Sequence, residues 1–280
     1  MTSILLSSDD PQVAEDIAFR FAQGEGYKHV GLSLLSEIAK KHDVSEEKLQ
    51  WALDGTGARK VSRKERDVLL SYVQAATLET LVQDRVVSAG LAAHLYVKNV
   101  SHVLQLRVLA NPEKRLEEYG EQHKLSRRKA QKALEKLREE RIRWSTESFG
   151  VSEYDPSIYD IVVQLKQIDT DRVLRIIRET AAFRGFQTMT YSRRCLQNLQ
   201  LASEVHVALL PSYPAIRVKA DGDRVIVHVK CSKRQKPQTV SGIKELARGV
   251  ETVGLVEVHT VSDLRDADIG AEHTQSPNGE

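Results

Sequence analysis

The first twenty-six residues constrain the fold most. An apolar run from Ser3 to Ser8 reads as a buried strand, and apolar residues at helical spacing follow at Val13, Ile17 and Phe21 before Gly24 and Gly26 stop the helix. A strand that enters a helix through a tight turn is the usual α/β device for presenting backbone N–H groups to a phosphate, with glycines for close approach and a lysine for charge. Here the turn is Ser8-Asp9-Asp10-Pro11-Gln12-Val13-Ala14, without glycine or lysine. Its two aspartates would repel a triphosphate.

The same alternation continues downstream. Tyr27 to Val30 reads as a short strand, and a helix carrying Leu32, Leu35 and Ile38 follows it. Ser45 with Glu46 and Glu47 reads as the cap and acidic first turn of another helix. Asp54 to Ser62 reads as a loop and Leu69 to Leu81 as a helix. Arg85 to Ala89 and Val103 to Ala110 are apolar runs suited to buried parallel strands, with a short helical piece around Ala92 to Tyr96 between them. Charged helices follow over Pro112 to His123 and from Ser126 through Trp144, then a strand Tyr159 to Gln164 and a helix Thr170 to Ala182. This order predicts an α/β domain, a mostly parallel sheet with helices on both faces, over residues 1–184.

The pattern changes after a linker expected at 185–198. Leu199 to Leu210 reads as a helix, and Ile216 to Ala220 and Val225 to Cys231 as strands joined by Asp221-Gly222-Asp223, a hairpin signal. A helix from about Thr239 to Arg248 and a strand Leu255 to Val261 complete an α-β-β-α-β order, a small α+β domain over 199–262. Residues 263–280 are polar, with Pro and Gly, and read as a disordered tail.

A chain of 280 residues accommodates two such domains. Its formal net charge of +2 and sparse aromatic interleaving make no case for nucleic acid. No apolar stretch reaches the roughly 20 residues of a membrane helix and no leader-like segment opens the chain, so the cytoplasm is the expected compartment. Cys195 and Cys231 and the nine scattered histidines have no ligand-like spacing, so no metal site is expected.

Several segments together resemble the cytidylate-kinase-like family of P-loop nucleoside monophosphate kinases, across roughly Ser3 to Ala182. Phe149-Gly150-Val151 through Asp155-Pro156-Ser157-Ile158-Tyr159-Asp160-Ile161-Val162-Val163 is similar to that family's Phe-Gly, Asp-Pro and Tyr-Asp-Leu-Val stretch. Val103 to Arg115 resembles its strand and Ala-Pro turn entering an Arg-bearing helix, and Lys136 to Arg141 with Trp144 resembles its lid. The family's phosphate loop is replaced by Ser8, Asp9, Asp10, Pro11 and Gln12. Its Asp-Arg after the second strand reads here as Gly31-Leu32, its Gly-Arg after the third as Ser88-Ala89, and its Asn-Thr after the last as Gln164-Leu165; Arg138 stands where an acidic lid residue is usual. Phosphoryl transfer depends on positioning and electrostatics, so these departures imply a degenerate, non-catalytic kinase fold with no catalytic residues and no cofactor.

The C-terminal domain resembles the BON module through Ile216-Arg217-Val218, the Asp221-Gly222-Asp223 turn, Val225 to Val229, Gly249-Val250, and Val253 before Leu255 to Val258. Members of that family are associated with membranes, hydrophobic ligands or protein partners. Period-two patterning leaves Arg217, Lys219, His228 and Lys230 on one sheet face, a candidate docking surface for an acidic protein or anionic lipid.

The leading expectation is thus a pseudo-enzyme acting as a ligand-sensing or protein-interaction module. The alternative is a divergent active kinase phosphorylating CMP or dCMP with ATP and Mg, its phosphates held by backbone N–H groups of the helix after the first strand and by lid cations drawn from Arg127, Lys136, Arg138 and Arg141. A basic helix rich in i,i+4 pairs, such as Glu139 to Arg143, is also the ordinary composition of a solvated helix.

Overall fold

A computed structural model describes residues 2–55, 60–232 and 234–261. The chain divides into two compact units, Met1–Leu196 and Gln197–Glu280. The disordered tail expected at 263–280 lies outside the described residues.

The first unit holds a five-stranded parallel sheet in the order β2-β3-β1-β4-β5. Its strands are β1 (Ser3–Ser8), β2 (Lys28–Val30), β3 (Val86–Ala89), β4 (Val103–Leu109) and β5 (Ile161–Gln164). Helix α1 (Pro11–Glu25) follows β1; α2 (Leu34–His42), α3 (Glu46–Leu53) and α4 (Arg63–Leu81) follow β2 and pack on one another. Between β4 and β5 run α5 (Pro112–Gln122) and α6 (Arg127–Phe149), and α7 (Thr170–Ala181) follows β5. This is the α/β architecture that the element order predicts.

Local chemistry sets the ends of these elements. Asp10 has extended backbone and accepts from Gln12 N–H, Pro11 takes the first helical position, and Gly26 at φ +66° ends α1. Helix α4 begins six residues before Leu69 because Ser62 caps it, accepting from Glu65 N–H. Helix α6 continues past Trp144 until Gly150 adopts φ +73°. Ser145 and Thr146 fit inside it by donating their hydroxyls to the Ile142 carbonyl (3.1 and 2.8 Å).

The two sheet faces differ in chemistry. On one, Ile4, Leu6, Val87, Ala89, Leu104, Leu106, Val108 and Val163 form a core with Ile17, Ala18 and Phe21 of α1 and Val173 and Ile177 of α7. In-register parallel neighbours point to the same side, so Leu5 shares the opposite face with Ser88 and Gln105, and Ser7 shares it with Arg107. That face is buried and polar at its centre.

The segment 185–198, expected as a linker, is structured. The Thr2 hydroxyl lies 2.9 Å from the Ala181 carbonyl and 2.7 Å from that of Phe186, and Phe186 packs on the α1–α7 core. Helix α8 (Thr190–Leu209) then begins, nine residues before the expected Leu199, and the unit boundary falls within it. Its polar first turns, including Arg193 paired with Asp84 at 2.9 Å, hide the helical period.

In the second unit β6 (Ile216–Asp221) and β7 (Arg224–Val229) form an antiparallel hairpin, and β8 (Leu255–Thr260) returns parallel to β7 after α9 (Lys236–Arg248). Gly222, at φ +63°, takes the first position of the two-residue turn and donates its N–H to Asn198 Oδ1 at 2.9 Å. Leu201, Val205 and Leu209 of α8 and Ile243 and Ala247 of α9 close the core over Val225, Val227, Val229 and Val256.

Candidate functional site

In open parallel sheets ligands bind at the carboxyl ends of the strands, which makes the turns after β1 and β4 the place to begin. The Asp9 carboxylate bridges them. One oxygen accepts from Ala110 N–H at 2.8 Å, and the other pairs with Arg115 Nη1 at 2.7 Å. Asn111 caps α5 through Glu113 N–H and Lys114 N–H, which presents Arg115 from the first turns of that helix.

The neighbouring donors are also occupied. Asp10 N–H donates to Ser8 Oγ at 3.0 Å, Gln12 N–H donates to Asp10 Oδ1 at 3.0 Å, and Pro11 has no N–H. The Ser8 hydroxyl and the Asp10 carboxylate thus accept two backbone donors of this turn, and the Asp9 carboxylate accepts Ala110 N–H and pairs with the nearby cation Arg115.

Beneath this turn, Arg107 of β4 is 3% exposed. Its Nη1 donates to Ser7 Oγ (2.8 Å) and Tyr159 Oη (3.1 Å), and its guanidinium lies over the Tyr154 ring at 4.3 Å. The Tyr159 hydroxyl donates to the Glu153 carbonyl at 2.7 Å. His94, in the 3-10 turn Ala93–Leu95 after β3, stacks on Tyr159 with ring centroids 5.7 Å apart. Burial, with smaller contributions from Arg141 and Arg107, pushes the His94 pKa down to about 3, so its imidazole is neutral. Burial raises the Tyr154 and Tyr159 hydroxyls above the ordinary tyrosine range, opposed by the nearby Arg107 charge.

Of the four lid cations expected on α6, two reach this cluster. Arg141 forms a two-pronged ion pair with buried Glu153, donates to the Leu53 carbonyl at 2.6 Å and lies over Trp144 at 4.0 Å. Arg138 lies over the Tyr154 ring, 5.1 Å from its centroid. Arg127 instead pairs with Glu113 of α5, and Lys136 approaches Glu140 at 3.9 Å on its own exposed helix face. Arg127 and Arg141 are fourteen residues apart, about 20 Å along a helix.

The pair Ser88-Ala89 lies inside the third strand rather than after it. Ser88 and Ala89 are the last residues of β3, and Gly90, at φ +78°, and Leu91 follow it.

Sequence reasoning passed over Arg107, His94, Tyr154 and Glu153. A signal for Arg107 exists, since Gln105 and Arg107 interrupt the apolar run of β4 at every second residue. That spacing marks one polar sheet face.

In the second unit Arg217 lies opposite His228 and Lys219 opposite Ile226. β8 brings Glu257 beside Ile226 and His259 beside His228, and Glu257 pairs with Arg224 at 2.8 Å. The face expected to be basic therefore carries a carboxylate. Lys230 lies past the end of β7, where it lines a cleft of about 370 Å³ with Tyr213 and Gln238.

No helix among the described residues is long and apolar enough to cross a membrane. No curated protein matches the chain. Among solved structures, an uncharacterized protein from Eubacterium ventriosum ATCC 27560 is similar at 14% identity, covering 66% of this chain and 100% of its own, with a TM-score of 0.47. Dephospho-CoA kinase from Campylobacter jejuni is similar at 12% identity, covering 64% of this chain and 96% of its own, with a TM-score of 0.32. A model of the cytidylate kinase-like family matches residues 13–167, starting just past Asp9 and Asp10 and spanning more than half of the 280 residues. The chain belongs to the cytidylate kinase-like family.

Proposed function

We propose that this chain is a cytidylate kinase-like protein that transfers no phosphoryl group and acts as a ligand-sensing or protein-interaction component. The observation that carries the reading is the Asp9 carboxylate, which accepts Ala110 N–H and pairs with Arg115 at the end of β1. A triphosphate arriving there meets fixed negative charge and a cation already paired, while catalysis of its transfer requires the reverse. The commitment of Arg141 to Glu153 and the Leu53 carbonyl points the same way.

In this reading the second unit supplies the docking surface, through the face bearing Arg217, Lys219 and His228 and the adjoining Lys230. Glu257 within that face favours a protein partner carrying both signs of charge over an anionic lipid surface.

Calorimetric titration with ATP and Mg tests the phosphate-site reading. No heat of binding up to millimolar nucleotide is expected. Micromolar binding that disappears in Arg138→Ala would favour the alternative, a divergent active kinase using its lid.

A further inference from the structure

Four buried polar atoms without a hydrogen-bond partner among the described residues belong to one region of the first unit: Ser88 Oγ, His94 Nε2, Gln105 Oε1 and Arg107 Nη2. Ser88, Gln105 and Arg107 share the polar sheet face by register, and Tyr159 links Arg107 to His94, through its hydroxyl on one side and its ring on the other. Buried polar atoms are nearly always partnered in folded proteins, so such a concentration marks a place prepared for something else.

The charge balance of the region identifies what is missing. Arg107 is fully buried, yet its hydrogen-bond partners are neutral hydroxyls, Ser7 and Tyr159. The carboxylate of Glu153 is engaged by Arg141, and that of Asp9 by Arg115. Buried guanidinium groups are ordinarily paired with an anion. There is also a way in. Val162, in register with Arg107 on the neighbouring strand, is 44% exposed, and the Tyr154 ring that both Arg107 and the exposed Arg138 approach is itself only half-buried.

We infer that Arg107 and His94 form the binding site for a small ligand bearing one oxyanion group, a phosphate monoester or a carboxylate, under the cover of Tyr154. Arg107 Nη2 supplies the charged donor, and His94 Nε2 is a second unpartnered polar atom of the same cluster. The site lies beneath the turn at Asp9, uses Arg107 rather than the donors of that turn, and needs no triphosphate. It gives the ligand-sensing reading its ligand class and rests on that reading for its purpose, while its test involves no ATP.

The test is titration calorimetry of the full chain, at constant ionic strength, with inorganic phosphate, acetate and CMP in separate arms. At least one arm is expected to bind, and the arm that does separates free phosphate, carboxylate and nucleotide. Arg107→Met should weaken that binding tenfold or more. Should this variant not fold, Arg107→Lys serves, with an expected loss of at least threefold because a lysine cannot hold Ser7 and the anion together as the guanidinium fork does. Absence of binding in all three arms would overturn the inference, as would unchanged affinity in whichever variant folds. Neither result would touch the absence of phosphoryl transfer, which a turnover assay reads separately.

Discussion

Asp9 at the end of β1 and Arg115 in α5 form a partly buried ion pair at 2.7 Å, and the same carboxylate accepts Ala110 N–H at 2.8 Å. This joins the turn after β1 to the turn after β4, so one carboxylate ties two strand ends together.

Asp9→Ala is therefore expected to destabilise the first unit by about 1–3 kcal/mol, since it strands a buried N–H and a charged donor at once. Arg115→Met should cost less, and the double variant should cost less than the sum of the two. Urea denaturation of the four proteins measures this cycle, and strict additivity would show that the pair does not couple.

Glu153 is 2% exposed and answers Arg141 with both oxygens while its N–H donates to Ser145 Oγ at 3.0 Å. Arg141→Met leaves that carboxylate buried and alone, at an expected cost of about 3–5 kcal/mol. Glu153→Gln in the same background should recover part of the loss, which equilibrium unfolding would detect. No recovery would mean that the loss comes from packing against Trp144.

His94 gives a prediction in pH. Its folded pKa, about 3, lies below the ordinary histidine value of about 6.5, so below pH 6.5 the unfolded chain takes up a proton that the folded chain refuses. Stability should fall as pH drops from 6.5 toward 3, by up to about 1.4 kcal/mol per pH unit from this residue. Burial lowers His102 and His206 as well, which adds to the slope. Comparing unfolding of the wild type and His94→Gln between pH 5 and 6.5 isolates its share, and identical slopes would contradict a buried neutral His94.

Gly55 follows α3 at φ +60°, and a Cβ there would lie 3.1 Å from Trp144 and 3.3 Å from Arg141. Gly55→Ala is expected to cost about 1–3 kcal/mol from backbone strain, with further loss from displacing Trp144. A thermal unfolding midpoint unchanged from the wild type would show that the turn accommodates the side chain.

The parallel sheet was legible because its strands are short apolar runs separated by helix-period segments; β1 runs over Ser3–Ser8 as its pattern predicts. Helix ends were harder wherever polar chemistry sets them. The Ser62 cap extends α4 through a charged turn, and the Thr190 start of α8 is hidden among basic residues. Asp9 and Asp10 were visible as charges out of place, but the partner that gives Asp9 its role, Arg115, lies 106 residues away and is brought there only by the β1–β4 pairing. Glu153 and His94 escaped for the same reason: each looks like an ordinary loop residue until the fold encloses it.

The central claim is that this cytidylate kinase-like chain transfers no phosphoryl group. The most direct measurement is incubation of the purified full chain with γ-labelled ATP, Mg and CMP or dCMP, with labelled nucleoside diphosphate as the readout. No product above a heat-killed control is expected. Turnover well above that control, abolished in Arg141→Met with folding intact, would contradict it.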